Sequence, residues 1–343
     1  MHVSFDPSEE IPHVEWLRAT RGAYEWWYFD AVSDDREYAF SAIWFLGNPF
    51  SPYYRAAALG RDADPFDHNA LFFALYRRGS LHAYHFSRFA PERVIAAAIP
   101  PLRLRFGPST LEQSGLEYRL SLDDANANRR RLRATIDFAA SASITLETVG
   151  DETDSAEHIW RPSAPTCRVE ARIALSSAMN YDREQIAFQG SGYHDHNRGA
   201  LPFSAAIRDW YWARIALPKE RTLVIYQTRL ASGAWKSDIL LFAAGAPARR
   251  EDGARRRMSG LRVNAFGLAY ATALSVEGQG IRATVRFHER LDSAPFYLRM
   301  LCDAEVTVDG ESLSGFGIGE YFRPRGMEWA LTASAMKARI VEQ

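Results

Sequence analysis

The sequence predicts an all-β protein made of two β-barrel-like units in tandem. Two observations carry this. Short runs of alternating apolar and polar residues recur along the chain, separated by turns rich in Gly, Asp, Asn and Ser, and no long stretch keeps a helical period. The two halves are also similar in length and in strand content, with no strict short-period repeat. The rhythm of short strands is that of a barrel or a sandwich.

Residues 1–22 read as an irregular arm. GAYEWWYFDAV, SDDRE and YAFSAIWFLG then read as two strands joined by a polar turn. Alternation along the first strand puts Glu25, Trp27 and Phe29 on one face and Trp26, Tyr28 and Asp30 on the other. NPFSPYYR reads as a proline-broken loop. ALFFALYRRGSLHAYHFSRF is a second hairpin with RRGS at its turn. EYRLSLDD, RRLRATIDFAA and SASITLETV continue the pattern. The acidic stretch GDETDSAEH, 150–158, marks a domain edge, and the units are placed at 1–165 and 166–343. In the second half Ile281, Ala283, Val285 and Phe287 oppose Arg282, Thr284, Arg286 and His288, the pattern of a strand wet on one side. The final segment, GMEWALTASAMKARIVEQ, fits a strand or a short helix.

Composition narrows the function. Of 343 residues, 47% are hydrophobic and 24% charged, as in an ordinary globular protein. A net charge of −1 supplies no field to draw in nucleic acid. Cys167 and Cys302 lack metal-ligand spacing and read as two buried free thiols. The N-terminus lacks the basic start and apolar run of a signal peptide, and no window is apolar for long enough to span a membrane. A cytoplasmic protein is expected, with contact at a membrane surface left open. Aromatic residues make up 13% of the chain, which fits either a β-rich core or a large apolar pocket.

The chemistry concentrates in 188–214, FQGSGYHDHNRGALPFSAAIRDWYWAR. On a strand, Tyr193, Asp195 and Asn197 share one face of YHDHN, and His194 and His196 share the other. Two readings follow. His-x-His is a usable metal-ligand spacing, although no third ligand stands out, and both histidines are equally well read as structural. Asp195, steadied by Tyr193, can instead be a proton donor. A free Asp at pH 7 is only about 0.1% protonated, but burial among aromatics disfavours the charged form and raises that fraction. A salt bridge or a turn cap remains the plainer role for it. His158 and Trp160 of HIW share a strand face and offer a hydrogen-bonding ring and a cation-stabilising ring. Trp26, Trp27, Tyr28, Trp210 and Trp212 are the candidate pocket-lining aromatics. Glu25 is read as a buried acid paired with an arginine. Glu320 and Tyr321 in GEYFRP have no assigned role. No GxSxG, GxGxxG, Walker loop or HExxH is present.

GAYEWWYFDA, HIWRPSAP, GSGYHDHNRG with DWYWAR, and GEYFRP occur in that order. Together they resemble the carotenoid 1,2-hydratase family (hydroxyneurosporene synthases) and the wider AttH-like group, over about residues 20–325. The resemblance implies two lipocalin-like units with the site between them or in the mouth of the first. It implies an apolar isoprenoid or polyketide substrate and a reaction that needs no metal or other cofactor. A carboxylic acid protonates a terminal double bond, and water captures the tertiary carbocation. Carried onto this chain, the catalytic set falls on Asp195 as the acid and on Tyr193, Trp160 and His158 around it. Terpenoid cyclases and Diels–Alder pericyclases share the fold and stand as an alternative, as does a lipid-binding module with no chemistry. Arg198 replaces an aromatic residue common at its position, and its direction relative to the pocket decides whether a long hydrocarbon fits.

Overall fold

The computed structural model describes residues 10–60, 63–141, 158–177, 183–337 and 340–343. Its strands form two separate sheets. The first half of the chain supplies β1 (Ala23–Ser33), β2 (Tyr38–Leu46), β3 (Asn69–Arg77), β4 (Ser80–Phe89), β5 (Val94–Ala96) and β6 (Arg103–Phe106). β7 (Ser109–Ser114), β8 (Glu117–Ala125), β9 (Arg130–Ala140), β10 (Ile159–Ser177) and β11 (Arg183–Ala200) follow. The second half supplies β12 (Ile207–Leu217), β13 (Arg221–Leu230), β14 (Trp235–Ala243), β15 (Arg249–Asp252) and β16 (Arg255–Val263). After these come β17 (Ala269–Glu277), β18 (Ile281–Ser293), β19 (Tyr297–Val308) and β20 (Glu311–Phe322), and the short β21 (Val341–Glu342) ends the chain.

The first sheet has twelve strands in the order β21-β4-β3-β2-β1-β11-β10-β9-β8-β7-β6-β5. The second has nine, β15-β14-β13-β12-β20-β19-β18-β17-β16. Both are meanders in which a long-range pairing, β1 with β11 and β12 with β20, joins two runs of sequential hairpins. The all-β expectation holds, and each sheet curls as a half-barrel of lipocalin type. Where two-residue turns are needed, the residues present tolerate positive φ. Asp309 and Gly310, between β19 and β20, sit at φ 48° and 91°, the conformation that a tight hairpin matched to strand twist requires.

The chain divides into two compact units, Met1–Arg78 with His82–Pro202 and Ala333–Gln343, and Gly79–Leu81 with Phe203–Thr332. The division therefore falls at Pro202, beyond the 165/166 edge read from the sequence. The reason is physical: β10 runs through residue 165 and is paired on both sides, to β9 and to β11, so a cut there would sever a strand. Most of GDETDSAEH lies outside the described residues.

Two segments read as irregular are helical. Val14–Ala19 forms α1 and Pro52–Leu59 forms α2. In α2, Ser51 caps the first turn by accepting a hydrogen bond from the Tyr54 amide, and Pro52 occupies a first-turn position where its missing N–H costs nothing. Phe203–Ala206 forms α3, and the final segment contains a helix, α4 (Ala330–Lys337). Among the described residues no helix is long and apolar enough to cross a membrane.

The core of the first unit lies on one face of its sheet. Trp27, Phe29 and Ala31 from β1, Phe40, Ala42 and Trp44 from β2, and Leu71, Phe73 and Leu75 from β3 all point into it. The second unit has its own core, including Tyr211, Ala213 and Ile215 of β12. Both cysteines, Cys167 and Cys302, are buried, each in the core of its own unit.

Candidate active site

The site is built where β1 and β11 pair. Their register sets Tyr28 opposite Asp195, Trp26 opposite Asn197 and Asp30 opposite Tyr193. Directly opposed residues share a face, so these six side chains lie together. The same face continues through Ile43 and Phe45 of β2, opposite Tyr28 and Trp26, and Phe72 of β3, opposite Ile43. None of these residues belongs to the core cluster of the first unit. They form a largely aromatic face on the other side of the sheet, and all are buried, Asp195 at 5% exposure.

Trp160 reaches this face from β10, opposite Asn197. The pairing of β10 with β11 slips between Arg161 and Ala164 and again between Ala164 and Cys167. Pro162 and Pro165 fall within those two slips. Proline has no amide to give to a ladder, and the irregularity re-aims neighbouring side chains.

Three side chains converge on the Asp195 carboxyl. Trp160 Nε1–H and Tyr193 O–H each donate to Oδ2 at 2.8 Å, and Asn197 Nδ2–H donates to Oδ1 at 2.6 Å. Burial drives the Asp195 pKa up, and the bonds from Trp160, Tyr193 and Asn197 pull it partly back, leaving it at about 7. Burial raises the Tyr193 hydroxyl well above the ordinary phenol range, so it stays a donor. The site is thus a carboxyl that keeps its proton up to about pH 7 on a largely aromatic face, held by groups that also stabilise its anion.

His158 lies on the same face but beside a different partner. Its Nδ1 is 3.1 Å from the Tyr24 hydroxyl, and its ring stacks on Trp26 with centroids 5.2 Å apart. Burial depresses its pKa to about 3, so the ring is neutral at neutral pH. Tyr28 donates to Asp30, a second buried acid on this face, at 2.9 Å.

Of the five candidate lining aromatics, Trp26 and Tyr28 stand on the Asp195 face. Trp27 does not. It points into the core and stacks on His196, with rings 4.8 Å apart and nearly parallel. Trp210 and Trp212 belong to the second unit, where both are buried on the face of β12 opposite Tyr211. Trp210 packs against Phe322 at 4.3 Å.

On the reverse face, His194 and His196 point the same way, as alternation predicts, but the nearest acid differs between them. His194 Nε2 is 3.2 Å from Glu10 Oε2, and His196 Nε2 is 2.7 Å from Glu25 Oε1. Glu25 pairs with His13 and His196 rather than with an arginine. Burial works against its charge, but the bonds from the two imidazoles outweigh it and hold the pKa near 2. Arg198 also lies on this reverse side, over the Trp16 ring, so it does not face Asp195. Glu320 is held by Arg299 at 3.0 Å and by Tyr297 at 2.5 Å, within the second unit. Asn197 is the site residue that the sequence reading left without a role. Its place on the face of Asp195 in the YHDHN alternation was the available signal.

A family model for carotenoid hydratase CrtC matches residues 42–321, most of the chain. The chain belongs to the carotenoid hydratase family. Among curated proteins it is 28% identical to a hydroxyneurosporene dehydrogenase of Chlorobaculum tepidum, over 93% of this chain and 87% of that protein. It is 31% identical to an acyclic carotenoid 1,2-hydratase of Thiocapsa roseopersicina, over 86% of this chain and 68% of the relative. Among solved structures a candidate AttH from Nitrosomonas europaea superposes with a TM-score of 0.60 at 16% identity, covering 87% of this chain and 92% of that one. That likeness concerns the fold. Membership of the carotenoid hydratase family makes the chain an enzyme of the hydro-lyase class and points to hydration of a double bond.

Proposed function

We propose that this carotenoid hydratase family member adds water to the terminal double bond of an acyclic carotenoid, with Asp195 as the proton donor. The observation that carries this is the Asp195 carboxyl. It lies on an aromatic face, its pKa stands near 7, and two donors hold one of its oxygens. An alkene is a very weak base, so its protonation needs an acid that is neutral at working pH and close to the substrate.

In the first step Asp195 delivers its proton to the less substituted alkene carbon. The π pair forms the new C–H bond, leaving a tertiary carbocation and a carboxylate. Trp160, Tyr193 and Asn197 stabilise that carboxylate through the bonds they already make. Aromatic faces such as Trp26 and Tyr28 stabilise the cation by about 0.5–2 kcal/mol each where a ring lies within reach. Water then adds to the cation, and the oxonium returns its extra proton to Asp195. The sum is alkene plus water giving a tertiary alcohol, with the acid restored. His158, uncharged and hydrogen-bonded to Tyr24, shapes the site beside Trp26.

The test is a mass-spectrometric assay of the full chain with lycopene or neurosporene in detergent, against Asp195→Asn. A product heavier by one water, absent in the variant, is expected. A product of unchanged mass would replace hydration with cyclisation. No product at all would remove acyclic carotenoids as substrates.

A further inference from the structure

The reverse face of the β1–β11 pair holds a group of side chains that the proposed hydration does not use. His13, at the N-terminus of α1, Glu25 of β1 and His196 of β11 bring their ligand atoms within 4.8 Å of one another. His13 Nδ1 and His196 Nε2 lie 2.6 and 2.7 Å from the same oxygen, Glu25 Oε1. The other oxygen, Oε2, accepts the His13 backbone amide at 2.9 Å, so only Oε1 is offered to a shared partner. The His196 ring is clamped between Trp27 at 4.8 Å and His13 at 5.8 Å, both stacked.

We propose that His13, Glu25 and His196 form a divalent transition-metal site, with Glu10 as the outer carboxylate behind His196. Two imidazoles and one carboxylate are the donor set of zinc sites that keep a fourth position for water.

A second observation comes from Glu10. Its Oε2 accepts from Tyr118 at 3.0 Å and faces His194 at 3.2 Å. Its Oε1 is buried, has no hydrogen-bond partner among the described residues, and lies 3.8 Å from His196 Nδ1. A singly protonated His196 that donates from Nε2 to Glu25 turns an acceptor, its Nδ1, towards this oxygen, and the buried Glu10 Oε1 is left without a donor. A cation at Nε2 reverses the tautomer. Nδ1 then carries the proton and donates towards Glu10, the carboxylate–histidine–metal relation that orients metal-bound imidazoles. Tetrahedral zinc with bonds of about 2.0–2.1 Å separates its ligand atoms by roughly 3.3 Å. The present 2.6 and 2.7 Å spacings must therefore open by about 0.6 Å. His13 can accommodate this, because its side chain is 31% exposed and sits at a helix terminus, which also gives the ion a way in.

The competing occupant is a pair of protons, which the distances also fit, and the experiment separates the two. The full chain is stripped with a chelator, dialysed, and titrated with Zn²⁺ by calorimetry and with Co²⁺ by absorption. One equivalent of Zn²⁺, visible ligand-field absorption from Co²⁺, and a melting temperature that rises with metal are expected. His13→Ala and Glu25→Gln should lose the cobalt spectrum. Glu10→Gln should weaken binding by about 10- to 100-fold, the usual cost of losing an outer partner. Asp195→Asn, on the other face, should bind metal normally, so the site stands or falls apart from the hydration reading. Absence of stoichiometric binding in the wild type overturns the proposal, as does binding that survives His13→Ala unchanged. His13 is partly exposed, so its variant folds even where Glu25→Gln does not.

Discussion

Asp195 is held between two opposed effects. Burial raises its pKa, and three donors lower it, with about 7 as the result. Two consequences can be measured. If the neutral form is the acid, kcat/KM should be flat at low pH and fall about tenfold per unit above pH 7. Tyr193→Phe removes one stabiliser of the anion, so the falling limb should move to higher pH while the rate itself drops. A limb that moved down instead would mean that Tyr193 does not act on the carboxyl. Stability follows the same group. A carboxyl whose folded pKa lies above its unfolded value gives its full contribution below the unfolded pKa, near 4. That contribution is lost as pH rises through 7, on the order of 4 kcal/mol in all. Denaturant titrations should therefore show the wild type losing stability between pH 5 and pH 8 relative to Asp195→Asn.

At the scale of elements, the β1–β11 pair separates chemistry from structure by alternation alone. Trp26 and Trp27 are neighbours in sequence with different surroundings. Trp27→Ala opens a cavity in the core and should cost about 3–5 kcal/mol in denaturant unfolding. Trp26→Ala should act mainly on turnover. Gly192 is needed for close packing. A Cβ there would fall 2.3 Å from Val169 Cγ2 and 2.7 Å from Phe138 Cε1. Gly192→Ala should accordingly destabilise the fold by about 1–3 kcal/mol. The alternation that places Tyr193, Asp195 and Asn197 together was legible in the sequence, as was the split of Trp26 and Tyr28 from Trp27. The partners were not. That Trp160 would give its N–H to Asp195 depends on the slipped β10–β11 register around Pro162 and Pro165. That His158 would meet Tyr24 instead of the acid depends on the β1–β11 pairing, which brings together residues more than 130 positions apart.

For the molecule as a whole, strand rhythm sufficed for the all-β class and the division into two units, because turns and alternation are local signals. The edge of the units was misplaced because β10 belongs to the first sheet through pairings on both sides, and pairing is not local. Glu10 and His13 lay in an arm without periodicity, and nothing in their neighbours indicates that they enter the first unit to meet His194, His196 and Glu25. The two faces of one strand pair thus hold an acid at neutral pH on one side and a His–Glu network on the other, with the His194–Asp195–His196 backbone shared between them.

The most direct test of the hydration account is the source of the new C–H bond. The wild type and Asp195→Asn should each be run with lycopene in D₂O and the products analysed by mass spectrometry after back-exchange of hydroxyl protons. The account predicts a tertiary alcohol with a single deuterium fixed on carbon from the wild type, and neither deuterium nor water added by the variant. Alcohol formation without deuterium on carbon, or full deuterium incorporation by Asp195→Asn, would contradict it.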